Sequence, residues 1–251
     1  MPRLTYVGGP TALIEWSGAR LLTDPTLDPA GTEYPTPVYT LRKTIGPALT
    51  AEALLPLDAV LLSHDHHFDN LDHAGRRLLS SAARVLTTVE GAARLGTEPG
   101  LVPWQATSLA TRDGVPLRIT ATPARHGPEQ ADRGPVIGFV LERQGDEAVY
   151  LSGDTVWYEG VAEVAARFRV RAAVLFMGAA RVKAAGDWPL TFTAEGAVAA
   201  ARAFAGATIV PLHFEGWAHF SESRAQIATA FAAAGMAGRL RWPPPGVPIE
   251  I

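Results

Sequence analysis

Apolar positions fall in short runs separated by turn-forming residues, and the runs predict strands more often than helices. Residues 12–16 and 20–23 are apolar-rich and flank Ser17-Gly18, a turn signal, so they predict a strand pair. After Asp24-Pro25 the pattern lapses into a stretch rich in Pro, Gly and Thr up to about Pro47, which predicts a long loop of the functional or mobile kind. Residues 59–62 form an apolar run that leads straight into a polar cluster, as a buried strand ending at a site would. Residues 71–83 have helical character, and 85–88 read as a further short strand.

The second half repeats the theme. Residues 117–121 alternate and stop at Pro123; 136–141 and 148–151 flank a hairpin-like turn at 144–146; 172–176 and 208–212 are buried strands. Residues 194–204 predict a helix capped by Thr193, and 223–234 a helix with Ile227, Ala230, Phe231 and Ala234 on one face. Short strands with helices interspersed in both halves predict an α/β (α+β) fold, two sheets sandwiched between helices. Neither a repeat nor a linker divides the chain, so residues 1–251 read as a single domain.

Composition narrows the function. A net charge of −3 supplies no basic face for a phosphate backbone, so a small molecule is the expected partner and nucleic acid is not. There is no cysteine, which excludes disulfides and thiolate metal sites; any metal must be held by His and carboxylates. The first residues lack an apolar leader, and no apolar run reaches the roughly 18–20 residues of a membrane span. The expectation is a soluble cytoplasmic protein, with homo-oligomerisation left open.

Seven histidines are present, and three of them crowd into His64-Asp65-His66-His67-Phe68-Asp69, with His73 close behind. His126 and His213 follow predicted strands, as does Asp154 in Ser152-Gly153-Asp154-Thr155. Each of these places has one form: an apolar strand, then a residue able to bind metal. His126, His213 or Asp154 alone reads more readily as a hydrogen-bonded histidine or a turn aspartate, whereas the histidine cluster alone suggests metal as readily as not. Several together, on strand ends that converge at one rim of a sheet, point to a metal centre. Imidazole and carboxylate suit Zn, Mn, Fe and Ni, and a carboxylate such as Asp154 can bridge two ions about 3.5–4 Å apart.

The segment 57–66, ending in His64-Asp65-His66, resembles the strand and opening of the His-x-His-x-Asp-His motif of the metallo-β-lactamase superfamily. Within it the chain resembles the branch of ascorbate-phosphate lactonases and N-acyl-phosphatidylethanolamine phospholipase D. Residues 11–15 and 21–25 match that branch's opening strands, 122–126 its third-histidine segment, 151–155 its bridging-aspartate segment and 210–213 its last-histidine segment. The resemblance implies a four-layer αββα sandwich with the metal site at one edge. By matched position, His126 ligates a first metal, His213 a second, and Asp154 bridges them. Asp69 orients or deprotonates the attacking water. The implied cofactor is Zn or Mn, one or two ions per chain.

The central motif departs from the family by one extra residue. Read from the strand side, His64 and His66 are the first two histidines; read from the right, Asp65 and His67 take their places. The strand side favours His66, with His67 in reserve. In either register Asn70 stands where a fourth histidine is usual, so the second metal position is expected to be weaker. His73 is the nearest substitute, although a surface histidine is the simpler reading. Gly8-Gly9-Pro10-Thr11 also replaces the branch's Gly-His-Ala-Thr. Trp217, His219 and Phe220 are placed either to line a pocket or to cover the core. Arg125 and Arg181 are the cations available to an anionic substrate, though each alone reads as a solvated surface residue. The activity implied is metal-assisted hydrolysis of a lactone, ester or phosphodiester. The rival is a non-catalytic metal or ligand binder on the same fold, which the lost histidine favours.

Overall fold

The computed structural model describes residues 1–97, 99–183 and 186–251. In chain order, β1 (Arg3–Gly8), β2 (Thr11–Trp16) and β3 (Ala19–Thr23) are followed by β4 (Glu33–Pro35), β5 (Thr40–Arg42) and α1 (Ala51–Leu54). Then come β6 (Ala59–Leu61), α2 (His73–Leu78), β7 (Val85–Leu86) and α3 (Val89–Leu95). The second half holds β8 (Ala106–Leu109), β9 (Leu117–Pro123), β10 (Ile137–Glu142), β11 (Ala148–Leu151), α4 (Glu159–Arg167) and β12 (Val170–Phe176). It ends with α5 (Ala194–Ala203), β13 (Thr208–Leu212), α6 (Arg224–Ala233) and β14 (Pro248–Glu250).

Two six-stranded sheets result, ordered β14-β1-β2-β3-β6-β7 and β13-β12-β11-β10-β9-β8. Successive side chains of a strand point to opposite faces, and here both faces are covered. In β12, Ala172, Val174 and Phe176 join the core between the sheets, while Ala173 and Leu175 face a second cluster that contains Val161 and Val164 of α4, Val198 of α5 and Phe231 of α6. In β2, Ile14 and Trp16 point to the inter-sheet core and Leu13 to a third cluster with Leu54 of α1 and Leu78 of α2. The layers therefore run helix, sheet, sheet, helix, the αββα sandwich. Burial on both faces explains why the strands read as near-continuous apolar runs. Among the described residues, no helix is long and apolar enough to cross a membrane.

Caps end the helices where the sequence predicts. Thr193 Oγ1 accepts from Gly196 N at 3.0 Å, and Ser223 forms a capping box with Gln226. The predicted loop up to Pro47 does contain structure: β4 and β5 pair as a small hairpin whose Tyr34 and Leu41 pack with Trp217. The helix predicted over 71–83 is shorter. Asp72 caps α2 by accepting from Gly75 N at 2.8 Å, and a 3₁₀ turn, Leu79–Ser81, replaces its second half. Parallel pairing of β3, β6 and β7, and of β11, β12 and β13, aligns the carboxyl ends of these strands.

Candidate metal centre

The carboxyl ends of four strands deliver the predicted residues to one place. His64 follows β6, His126 follows β9, Asp154 follows β11, and His213 is the first residue after β13. All four are buried. His213 adopts φ 52°, a left-handed conformation costly for a residue with a Cβ. Its N–H donates to Gly9 O at 2.9 Å, which holds the turn that sends its ring inward.

Neighbouring groups fix which ring nitrogens face the centre. Asp24 Oδ1 accepts from the Ser63 N–H and hydroxyl, at 2.8 and 2.7 Å, and Ser63 Oγ lies 2.9 Å from His64 Nδ1. That leaves His64 Nε2 free to point inward. Likewise His126 Nδ1 lies 2.8 Å from the Leu190 carbonyl and leaves Nε2 inward. Orientation of an imidazole by a partner on its other nitrogen is a recurrent device of metal sites.

His67 Nδ1 sits 3.0 Å from His64 Nε2 and 3.1 Å from His126 Nε2, so three ring nitrogens converge. His66 stands at the edge of this group: its Nε2 donates to the Arg133 carbonyl at 2.9 Å, while a nitrogen of its ring lies within 4.8 Å of donor atoms of His64 and His67. The sequence-based preference for His66 thus meets a geometry in which His67 lies nearer the centre. The N–H groups of Asn70 and Leu71 both donate to His67 O, at 3.2 and 3.0 Å, and close the turn that carries His67. Asp65 points away, paired with Arg94 through Nε and Nη2 at 2.8 and 2.5 Å.

Asp154 spans two groups of donors. Its Oδ2 lies 3.6 Å from His126 Nε2, and its Oδ1 lies 3.5 Å from His213 Nε2. Asp69 Oδ2 lies 3.6 Å from His213 Nε2 and 3.0 Å from His219 Nε2. Within each of the sets His64/His126/Asp154, Asp69/Asp154/His213 and His64/His66/His67, the nearest donor atoms fall within 4.8 Å of one another. Asn70 is fully buried, with Nδ2 reaching Ser63 Oγ at 3.5 Å and Oδ1 lacking a partner. His73 stays outside, against Tyr34 and Phe68 with ring centroids 5.5 and 5.2 Å away.

The donor chemistry fits a divalent cation. Both carboxylate oxygens of Asp154 and both ring nitrogens of His213 are buried without a hydrogen-bond partner among the described residues, a costly state that a cation would relieve. Burial, and the neighbouring rings, push the His64 pKa well down, and His67 falls to about 3, so both imidazoles are neutral and able to donate electron pairs. At His213 burial opposes a charge, but Asp154 and Asp69 outweigh it and hold the ring up at about 10. Burial would raise Asp69, yet the neighbouring His213 and His219 rings hold it well below the usual carboxylate range. The pocket is built for positive charge.

A narrow cleft of about 10 Å³ adjoins the centre, lined by His67, Asp69, His126, Tyr39, Arg133 and His219 among others. Tyr39 and Arg133 carry no sequence signal, because no motif surrounds either of them. The sequence places His219 either to line a pocket or to cover the core; its contact with Asp69 has no sequence signature. Of the arginines considered for an anion, Arg125 faces Glu159 at 3.6 Å and lies over the Tyr158 ring, and Arg181 faces Asp187 at 3.6 Å.

The beta-lactamase superfamily domain matches residues 19–214. The chain belongs to that superfamily. A Bacillus subtilis (strain 168) protein, UPF0173 protein YddR, is 25% identical over 166 residues, which are 63% of this chain and 65% of that relative, just under two thirds of its length. Among solved structures, an isothiocyanate hydrolase from Delia radicum gut bacteria superposes with a TM-score of 0.82 at 24% identity, covering 99% of this chain and 98% of that one. A possible metal-dependent hydrolase from Veillonella parvula DSM 2008 superposes at 0.83 with 20% identity, covering 99% of each chain. Igni18, a metallo hydrolase of Ignicoccus hospitalis KIN4/I, gives 0.70 at 23% identity, covering 100% of this chain and 99% of that one. These likenesses speak for the fold.

Proposed function

We propose that residues 1–251 act as one metal-dependent hydrolase domain on a small lactone, ester or phosphodiester. The observation that carries the reading is Asp154, whose two unpartnered oxygens face His126 on one side and His213 on the other. His64 Nε2, His67 Nδ1 and His126 Nε2, with Asp154, would hold one ion, and Asp69, Asp154 and His213 a second. His66 serves as a loop clasp in this reading. Imidazole and carboxylate favour Zn or Mn and admit Fe. When bound, such ions supply Lewis acidity and a nucleophile at neutral pH.

The chain's own groups do the rest. Asp69, kept ionised by His213 and His219, is available to orient the attacking water and take its proton. The buried walls exclude bulk water and strengthen electrostatic interactions inside the cleft. The lactonase-like or phospholipase D-like branch remains the finer form of the reading. The gut-bacterial neighbour is named for isothiocyanate hydrolysis, whose electrophilic carbon suits the same nucleophile, so an isothiocyanate belongs among the test substrates.

Asn70 favours a second reading, a metal-binding protein without turnover, because it removes an imidazole from the second position. Elemental analysis of chelator-free protein, followed by a panel of lactones, esters, phosphodiesters and isothiocyanates before and after chelation, tests both. The hydrolase reading expects bound metal and turnover that chelation abolishes. Bound metal without turnover on any class supports the binder, and a chain that refuses Zn, Mn and Fe defeats both.

A further inference from the structure

The cleft beside the metal centre has one cationic wall. Arg133 lines it together with His67, Asp69 and His126, and the other walls include apolar Leu41, Ala180, Val182 and Leu190. No carboxylate stands within ion-pairing distance of Arg133 among the described residues, in contrast to Arg125 and Arg181. Tyr39 lines the same cleft, and burial raises its pKa, so its hydroxyl stays neutral and does not cancel the charge of the guanidinium.

The backbone of Arg133 is held from both sides. Its N–H donates to the His126 carbonyl at 3.0 Å, and its own carbonyl accepts from His66 Nε2 at 2.9 Å. Gly134 follows with φ 106°, and a Cβ there would come within 3.4 Å of His66 Nε2. His66 thus acts as a clasp on the segment that bears Arg133. A guanidinium whose backbone is held beside the candidate centre, and which has no carboxylate partner among the described residues, can receive one from outside; its planar fork suits carboxylate and phosphate oxygens.

We propose that Arg133, positioned by His66 and adjoined by Tyr39, is the anion-recognition element of the cleft, and that the substrate is a small organic anion whose charged group rests on Arg133 while its scissile bond faces His67, Asp69 and His126. The second half of this inference rests on the hydrolase reading; the anion site itself does not. The charged group can be a carboxylate or a phosphoryl group, since both present the same oxygens.

The test is calorimetric titration of succinate, its neutral counterpart succinamide, and inorganic phosphate into the metal-loaded protein and into chelator-stripped protein. Succinate or phosphate should bind the parent more tightly than succinamide. Preference for one of the two anions assigns the source of the charge. Arg133→Met and Arg133→Gln should each weaken anion binding about tenfold or more, the scale of a charge-assisted contact, and Arg133→Lys should recover part of it. His66→Ala should weaken it less and leave metal content unchanged, which separates a clasp from a ligand.

Anion affinity equal in parent, Arg133→Met and Arg133→Gln overturns the proposal, as does a parent that binds neither anion. Affinity that is lost on stripping but indifferent to Arg133 places the anion on the metal: the hydrolase reading then survives and this inference falls. Arg133-dependent binding in a chain that takes up no metal has the opposite meaning.

Discussion

At the scale of the residue, position 67 is the one on which the proposed centre depends. His67 Nδ1 lies between two other inward-facing ring nitrogens, whereas His66 serves a carbonyl. His67→Ala should therefore lower metal affinity by more than the 10- to 100-fold usual for supporting residues, and His66→Ala should stay within or below that range. Metal titration of the two variants decides it; a larger loss from His66→Ala would return His66 to the centre. The residue types and their strand-end placement were legible in the sequence, because strand periodicity announces where each strand stops. The choice between His66 and His67 was not, since one inserted residue changes a loop's direction without changing its composition.

His213 sets the pH dependence. Its ring is held at about 10 by Asp154 and Asp69 against the opposing effect of burial, so at neutral pH it bears a proton that an incoming ion must displace. Affinity at the Asp69/Asp154/His213 position should thus climb with pH, by about tenfold per pH unit for a single proton, and level off near 10. Calorimetry in buffers of different ionisation enthalpy counts the proton released; a flat profile from pH 7 to about 9 would mean His213 is already neutral. In the metal-free protein the same raised pKa favours the folded state fully below the ordinary value of 6.5, and that contribution fades as the pH rises through about 10.

At the scale of the element, a buried ion pair ties the β4–β5 hairpin to α2. Lys43, just beyond β5, places Nζ 2.9 Å from Asp72 Oδ2, with side-chain exposures of 3% and 0%. Asp72 also caps α2 and accepts from Asp28 N at 2.7 Å. Burial pulls the Lys43 pKa down and Asp72 pulls it back up, so the pair survives as a mutual dependence. Lys43→Met should cost about 3–5 kcal/mol in chemical denaturation, because it strands a buried carboxylate. Adding Asp72→Asn should recover part of that loss; a double variant as unstable as the sum of the singles would show that the two residues act independently.

The hairpin also marks where sequence reading stopped. Its strands are three residues each, too short for a period to show, and the stretch around them carries Pro, Gly and Thr, the signature of a loop. α4 escaped notice for another reason: Tyr158 at its N-cap makes no side-chain capping bond, so the usual start signal is missing. By contrast Thr193 and Ser223 supply such bonds, and their helices were legible in outline. The two sheets between helices could be read because short, near-continuous apolar runs demand cover on both faces.

At the scale of the molecule, the centre joins both halves of the chain, with His64, His67 and Asp69 from the β6 side and His126, Asp154 and His213 from the other sheet. An ion bound there fastens one sheet to the other and binds only the folded state. At a free concentration about a hundredfold above Kd it should add about 2.7 kcal/mol, or about 5–10 °C in the melting temperature of a chain this long. Differential scanning calorimetry of loaded and chelated protein measures the shift. Coincident melts would mean that the ion, if taken up, sits away from the junction.

The cleft of about 10 Å³, with Tyr39 and Leu41 of the hairpin region in its wall, has room for little more than a water molecule. Traffic through it is therefore a matter of timing. A ligand larger than water waits for the wall to part, so its observed rate of binding should rise with concentration only up to a ceiling set by the parting itself. That ceiling should be the same for ligands of unrelated affinity, and it should lift when Tyr39→Ala thins the wall. Stopped-flow traces that rise without limit would describe a doorway already open.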